Sequence, residues 1–161
     1  MLVGILSDTH DRYDIMGAAI RTLRERGAQF FVHCGDVCAP NMLDHLAGLP
    51  GAFVWGNCDW DRPGLQRYAE GIDVSCYGAF ADLELGGKTI AVLHGDDRAR
   101  LDETLKARRH DYLFHGHTHV RRDERIGTMR VINPGALFRA AEKTVALLDV
   151  RVDQLEYIRI G

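Results

Sequence analysis

Seven side chains of metal-ligating type stand where apolar runs of the chain break off: Asp8, His10, Asp36, Asn57, His94, His117 and His119. Val3–Leu6 leads into Ser7-Asp8-Thr9-His10, Phe30–Val32 into His33-Cys34-Gly35-Asp36, and Phe53–Trp55 into Gly56-Asn57-Cys58-Asp59. Ile90–Leu93 leads into His94-Gly95, and Tyr112–Phe114 into His115-Gly116-His117-Thr118-His119. One apolar run ending in a polar residue is ordinary, but five ending this way predict strand tips that converge on one metal-dependent site. Seven ligands exceed the four of a tetrahedral ion and suit two ions sharing a carboxylate. Four imidazoles argue against an all-oxygen magnesium or calcium site. Mixed nitrogen and oxygen ligation fits two divalent transition-metal ions, with manganese the leading candidate and nickel, iron, cobalt or zinc as alternatives. Two such ions, the carboxylates of Asp8 and Asp36 and a bridging hydroxide leave a net charge of about +1, which attracts phosphate. Neutral Asn57, where a third carboxylate could have stood, preserves that charge.

The elements that must position these residues follow from periodicity. A strand over 2–6 precedes a helix over Asp14–Arg26, whose stripe of Ile15, Ala19, Ile20 and Leu23 ends at Gly27. Strands over 30–34 and 52–56 flank a short helix opened by Pro40. This β-α-β-α-β rhythm predicts parallel strands joined by right-handed crossovers. Ligands then lie beyond the carboxyl ends of the strands, where all five breaks fall. The pairs Asp8/His10 and His117/His119 are spaced by two, so in extended chain each pair points to one side. Gly35, Gly56, Gly95 and Gly116 allow sharp turns or close approach to an ion.

Past Asn57 the pattern changes. Residues 58–71 read as a loop with a short helix after Pro63, followed by a hairpin of Phe80–Leu85 and Lys88–Leu93 about Gly86-Gly87. A charged helix around Arg98–Arg109 leads to a strand over 112–115, and Arg121–Arg125, Met129–Ile132, Thr144–Val150 and Leu155–Ile160 read as further strands. So many strands favour two packed sheets over one flat one. The expectation is a single domain over 1–161, a four-layer α/β/β/α sandwich with two packed mixed β-sheets flanked by helices.

Composition supports one globular domain: 161 residues with 46% hydrophobic content suffice for a substantial core. A formal charge of −3 gives no global reason to expect nucleic acid or an anionic membrane as partner. The basic clusters at Arg98–Arg109 and Arg121–Arg125 read as solvated faces. No apolar run approaches the roughly 18 residues of a membrane span, and the first is too short for a signal peptide, so a cytoplasmic protein is expected. Cys34, Cys38, Cys58 and Cys76 lack the paired spacing of a structural zinc site; Cys34 and Cys76 read as small packed hydrophobes.

The blocks Asp8-Thr9-His10, Gly35-Asp36, Gly56-Asn57-Cys58-Asp59, His94 and Gly116-His117-Thr118-His119 resemble, in order, those of the calcineurin-like metallophosphoesterase family, most of all its small single-domain branch. The resemblance spans residues 8–119. It implies a first metal held by Asp8, His10, Asp36 and His119, and a second held by Asn57, His94 and His117 with Asp36 bridging. It implies a four-layer α/β sandwich, in agreement with the reading above, and hydrolysis of small phosphodiesters through a metal-bridging hydroxide. Asn133-Pro134-Gly135 looks like the family's turn near the site, with Ala136 replacing its Ser, and is read as structural. Asn57 and Cys58 are the catalytic candidates. Cys58 departs from the pattern, since many members carry a His there to assist the leaving group. A thiol with a reference pKa of about 8.5 is a poorer proton donor at neutral pH, and the opposite reading is that Cys58 only packs beneath the metals.

Other polar residues take blander readings. His33 reads as a core residue, as do His45 and His110 on helices. His115 should point away from the ligands by alternation. Asp59 caps a turn or hydrogen-bonds a ligand, Trp55 reads as core and Trp60 as a wall of the pocket. The rival from another class is a catalytically weak or inactive protein-binding scaffold of the same fold, like the retromer small subunit. Such relatives typically lose ligand histidines, whereas all seven positions are filled here. A nuclease for extended nucleic acid lacks its basic stripe. The expected partner is a small phosphate ester, with no membrane; self-association as a homo-oligomer stays open.

Overall fold

The computed structural model describes residues 1–161. Its first sheet is built from β1 (Leu2–Leu6), β2 (Phe30–His33), β3 (Gly51–Phe53) and β4 (Ser75–Cys76), all parallel, with β10 (Thr144–Asp149) and β11 (Gln154–Arg159) added antiparallel beside β1. The second comprises β5 (Ala81–Leu85), β6 (Lys88–Val92), β7 (Tyr112–Phe114), β9 (Met129–Asn133) and β8 (Arg122–Ile126) in that spatial order. Its central strands β6, β7 and β9 are parallel, and β5 and β8 close the edges antiparallel. Both sheets are mixed, as the sequence pattern predicts.

Period-two alternation makes the layers. On β1, Val3 and Ile5 face the second sheet, where they join Val32, Val54, Ile90, Val92 and Phe114 in a buried inter-sheet core. Leu6 faces the other way, into a core with α1 (Tyr13–Glu25), the 3-10 helix Pro40–Leu46 and α2 (Arg62–Gly71), through Met16, Leu23, Leu43 and Leu65. A smaller cluster seats α3 (Arg98–Ala107) on the outer face of the second sheet through Leu101, Leu113 and Val131. The result is four layers, the fourth a single helix. Burying each large side chain contributes about 1.5–3 kcal/mol. No helix is long and apolar enough to cross a membrane.

Several boundaries differ from expectation for one reason. β2, β3 and β7 stop at His33, Phe53 and Phe114, short of the expected 34, 56 and 115, because the chain must leave the sheet to turn its polar tips inward. The α3 helix stops at Ala107 as Arg108 turns left-handed at φ 47°. His110 therefore lies off the helix, with Nε2 hydrogen-bonded to Asp82 Oδ1 at 3.2 Å. The two-residue β4 was not foreseen, since a strand so short carries no periodicity.

Candidate metal centre

The carboxyl ends of β1, β2 and β3 in one sheet and of β6 and β7 in the other meet at one edge of the sandwich, and all seven ligand-type side chains come together there. Asp8 Oδ1 lies 3.1 Å from His119 Nε2 and 3.8 Å from the Nε2 atoms of His10 and His94. Asp36 Oδ2 lies 3.3 Å from both His10 Nε2 and His94 Nε2, the central position a bridging carboxylate requires. Asn57 Oδ1 lies 3.1 Å from His94 Nε2 and from His117 Nδ1.

The expected route to this convergence was wrong, although the convergence is present. Asp8, His10, Asp36, His117 and His119 all have positive φ, between 41° and 69°. They sit in left-handed turns, not in extended chain, so strand alternation does not aim them. Such conformations each cost on the order of 1–3 kcal/mol for non-glycine residues and persist only where surroundings enforce them. The enforcing bonds are clear. The buried carboxylate of Asp59 accepts from the backbone N–H groups of Asp36 (2.9 Å), Cys38 (2.7 Å) and Gly56 (2.7 Å), tying the β2 and β3 loops together. A Cβ on Gly56 would overlap Asp36, and one on Gly35, which has φ 98°, would press on His94 Nδ1 at 2.7 Å. Asn133 Nδ2 donates to Gly116 O at 2.9 Å and Thr118 Oγ1 at 3.1 Å, holding the His117–His119 turn.

The ligand atoms have set orientations. His94 Nδ1–H donates to Cys34 O at 2.7 Å, leaving the Nε2 lone pair facing Asp8 and Asp36. Asp8 Oδ2 accepts from Ser7 Oγ at 2.7 Å and from His117 N at 3.1 Å. Asp8 Oδ1 and His10 Nε2, both buried, sit 3.1–3.8 Å from charged or imidazole neighbours without a well-aligned hydrogen bond. Asp36, followed by Asp8, raises the pKa of His10 to about 12. Burial works against ionised Asp36, yet His10 and His94 hold its carboxyl far below the usual range. A cluster that grips a proton so tightly and leaves polar atoms orphaned demands a cation, and its mixed imidazole, carboxylate and amide set fits transition-metal ions.

Neighbours the sequence did not single out complete the site. Cys38 Sγ lies 3.6 Å from His10 Nδ1, and the Phe138 ring packs on His10 at 4.7 Å. His33 is a core residue that also braces the centre: its Nδ1 accepts from Gly35 N at 3.2 Å, and its Nε2 bonds Thr9 Oγ1 at 3.0 Å. The only signal was its place beside Gly35-Asp36. His115 points away from the ligands, with Nδ1–H donating to Gly116 O at 3.1 Å and Nε2 accepting from Arg122 at 3.5 Å. The tryptophans exchange roles: Trp60 is 86% exposed and walls nothing. Half-buried Trp55, under Arg62 at 5.4 Å, lines a cavity of about 260 Å³ that opens against His94.

Burial lowers the pKa of His33, and of His115, from 6.5 to about 4. The unfolded chain therefore binds protons between about pH 6.5 and 4 that the native state refuses. Stability from these groups is complete above pH 6.5 and is lost as pH falls toward 4, on the order of 3 kcal/mol each. Urea unfolding of metal-free protein between pH 7.5 and 4.5 should show this slope, and His115→Gln should remove about half of it. A flat profile would contradict the neutral assignment.

The profile of the calcineurin-like phosphoesterase superfamily domain matches residues 1–153. Phosphodiesterase MJ0936 of Methanocaldococcus jannaschii is 27% identical over 165 residues, spanning 99% of this chain and 98% of the relative. A solved archaeal phosphodiesterase superposes with a TM-score of 0.91 at 25% identity, over 99% of both chains. Wild-type Vps29 of Entamoeba histolytica, solved with zinc, superposes with a TM-score of 0.70 at 21% identity over 100% of both chains, a likeness of fold. With two mixed sheets, polar tips gathered at one edge and a profile match over nearly its whole length, the chain belongs to the calcineurin-like phosphoesterase superfamily.

Proposed function

We propose that residues 1–161 form a single-domain phosphodiesterase with a dinuclear metal centre, acting on small phosphodiesters. The observation that carries this reading is the convergence of seven ligand-type side chains around two orphaned buried atoms, Asp8 Oδ1 and His10 Nε2. In this reading Asp8, His10, Asp36 and His119 hold one ion, and Asn57, His94 and His117 hold the other with Asp36 between them. Two divalent ions, with manganese the first choice, would supply there a water acidified at neutral pH and a clamp for phosphate oxygens. The protein orients everything else. His94 is locked by Cys34 O, Asn57 Oδ1 faces His117 Nδ1 at 3.1 Å, and the Trp55–Arg62 cavity offers room for one ester substituent. A protein-binding scaffold of this fold has no need of buried, unpartnered ligand atoms. The four cysteines are unpaired, which suits the reducing cytoplasm.

The test is metal analysis together with turnover of bis-p-nitrophenyl phosphate in added manganese. Two equivalents of metal with turnover are expected; stoichiometric metal without turnover would sink the enzyme reading. Burial and the Asp36 charge push the Cys58 thiol up to about 11, so it is a weak proton donor to a leaving group. Nitrophenyl diesters should therefore far outrun alkyl diesters. Cys58→His should raise the alkyl rate by about tenfold or more and leave the nitrophenyl rate nearly unchanged. Similar wild-type rates on both ester types would refute this assignment.

A further inference from the structure

We propose that Cys58 makes the centre respond to the softness of its metal: zinc or cadmium draws the sulfur in as a ligand beside His10 and Asp36, whereas manganese leaves it unbound. Cys58 Sγ, a His10 ring nitrogen and an Asp36 carboxylate oxygen lie within 4.8 Å of one another. Bonds of about 2.0–2.3 Å to nitrogen, oxygen and sulfur let one ion reach all three with small side-chain movements. The cysteine is anchored there, because its backbone N–H donates to Asp36 Oδ1 at 2.8 Å. Independently, the fully buried Asp8 leaves Oδ1 unpartnered on the same side of His10, 3.8 Å from its Nε2 and 3.1 Å from His119 Nε2.

One sulfur, one nitrogen and one carboxylate oxygen give three protein ligands, a number that binds zinc with its fourth position open. Thiolate favours zinc over manganese, which prefers oxygen and nitrogen. Cys38 Sγ lies against Nδ1 of His10, on the ring edge away from Nε2, and Cys34 is wholly buried. Cys58 is thus the sulfur placed to bind. On ligation its thiol proton passes to solvent as the sulfur–metal bond forms. The added negative charge brings the centre from about +1 to about zero and weakens its attraction for phosphate. The inference takes from the proposed function only that His10 and Asp36 face a cation.

Metal-free full-length protein titrated with cobalt or cadmium reports this directly. A thiolate-to-metal charge-transfer band is expected in wild type and in Cys38→Ser, and is lost in Cys58→Ser. Zinc affinity should fall about tenfold or more in Cys58→Ser while manganese affinity stays within about twofold. Bound metal without the band, a band that survives in Cys58→Ser, or an equal loss of manganese affinity overturns the inference and leaves the dinuclear reading standing. Protein that binds none of these ions overturns both. X-ray absorption of the wild-type zinc form gives the same answer without a variant: a sulfur shell near about 2.3 Å is required, and its absence is decisive.

Discussion

Asp36→Asn is expected to lower kcat/KM on bis-p-nitrophenyl phosphate by about a thousandfold or more, the loss of several kcal/mol of charge stabilisation, and to reduce bound metal from two equivalents toward one. The fold should survive. Asparagine keeps the shape and can still accept from Cys58 N, as Asp36 Oδ1 does at 2.8 Å. On the other side, its amide N–H groups would face His10 Nε2 and His94 Nε2, now 3.3 Å from a carboxylate oxygen. Neutral imidazoles accept such hydrogen bonds, so the metal-free protein is satisfied while a cation is repelled. The His10 pKa, raised to about 12 with Asp36 as the largest cause, should fall well below that value in metal-free Asp36→Asn, as followed by NMR titration. Full metal occupancy with near-normal turnover would show that Asp36 does not bridge.

Asp59→Ala should cost about 3–5 kcal/mol of stability, measured by urea unfolding. The carboxylate is 1% exposed and takes three backbone N–H groups, from Asp36, Cys38 and Gly56. Alanine leaves those donors unpaired in the interior. Asparagine repairs only part of the damage, because its Nδ2 would meet an N–H where an acceptor is needed. Two of the three bonds pin residues whose side chains or turns shape the centre, so metal affinity should fall together with stability. A change below about 1 kcal/mol would mean that the left-handed turns at Asp36 and Cys38 hold without this clamp.

Most of the residues that converge at the candidate centre were legible along the chain, for a reason visible in the folded protein. Each of Asp8, Asp36, Asn57, His94 and His117 follows its strand within a few residues, so the apolar run and its polar tip travel together in sequence. Sheet partners were less legible. Strands β10 and β11 pair beside β1 although they lie more than a hundred residues later, and β8 lies at an edge beyond β9. Nothing in period-two alternation encodes that order. The bracing residues were harder still: Asp59 and Asn133 act by accepting from or donating to backbone groups of other loops. Such partners have no side-chain signature. Trp60, beside the ligand loop in sequence, turned to solvent at 86% exposure while Trp55 took the cavity.

Residue type and order were enough for the chemistry and the layers: acid, amide and imidazole at strand tips, and alternation that buries one or both faces of each strand. The folded backbone alone decided how those tips meet. The alternation rule pairs His10 with Asp8 and His119 with His117 in extended chain, yet all four have φ between 41° and 69°. Left-handed turns of that kind are disfavoured locally and are held by long-range hydrogen bonds, from Asp8 N to Gly35 O, His10 N to Asp36 O and His117 N to Asp8 Oδ2, that outweigh their cost. Local sequence records the preference of each residue. It does not record the distant donor or acceptor that overrules it, which is why the ligands could be named before the geometry that joins them.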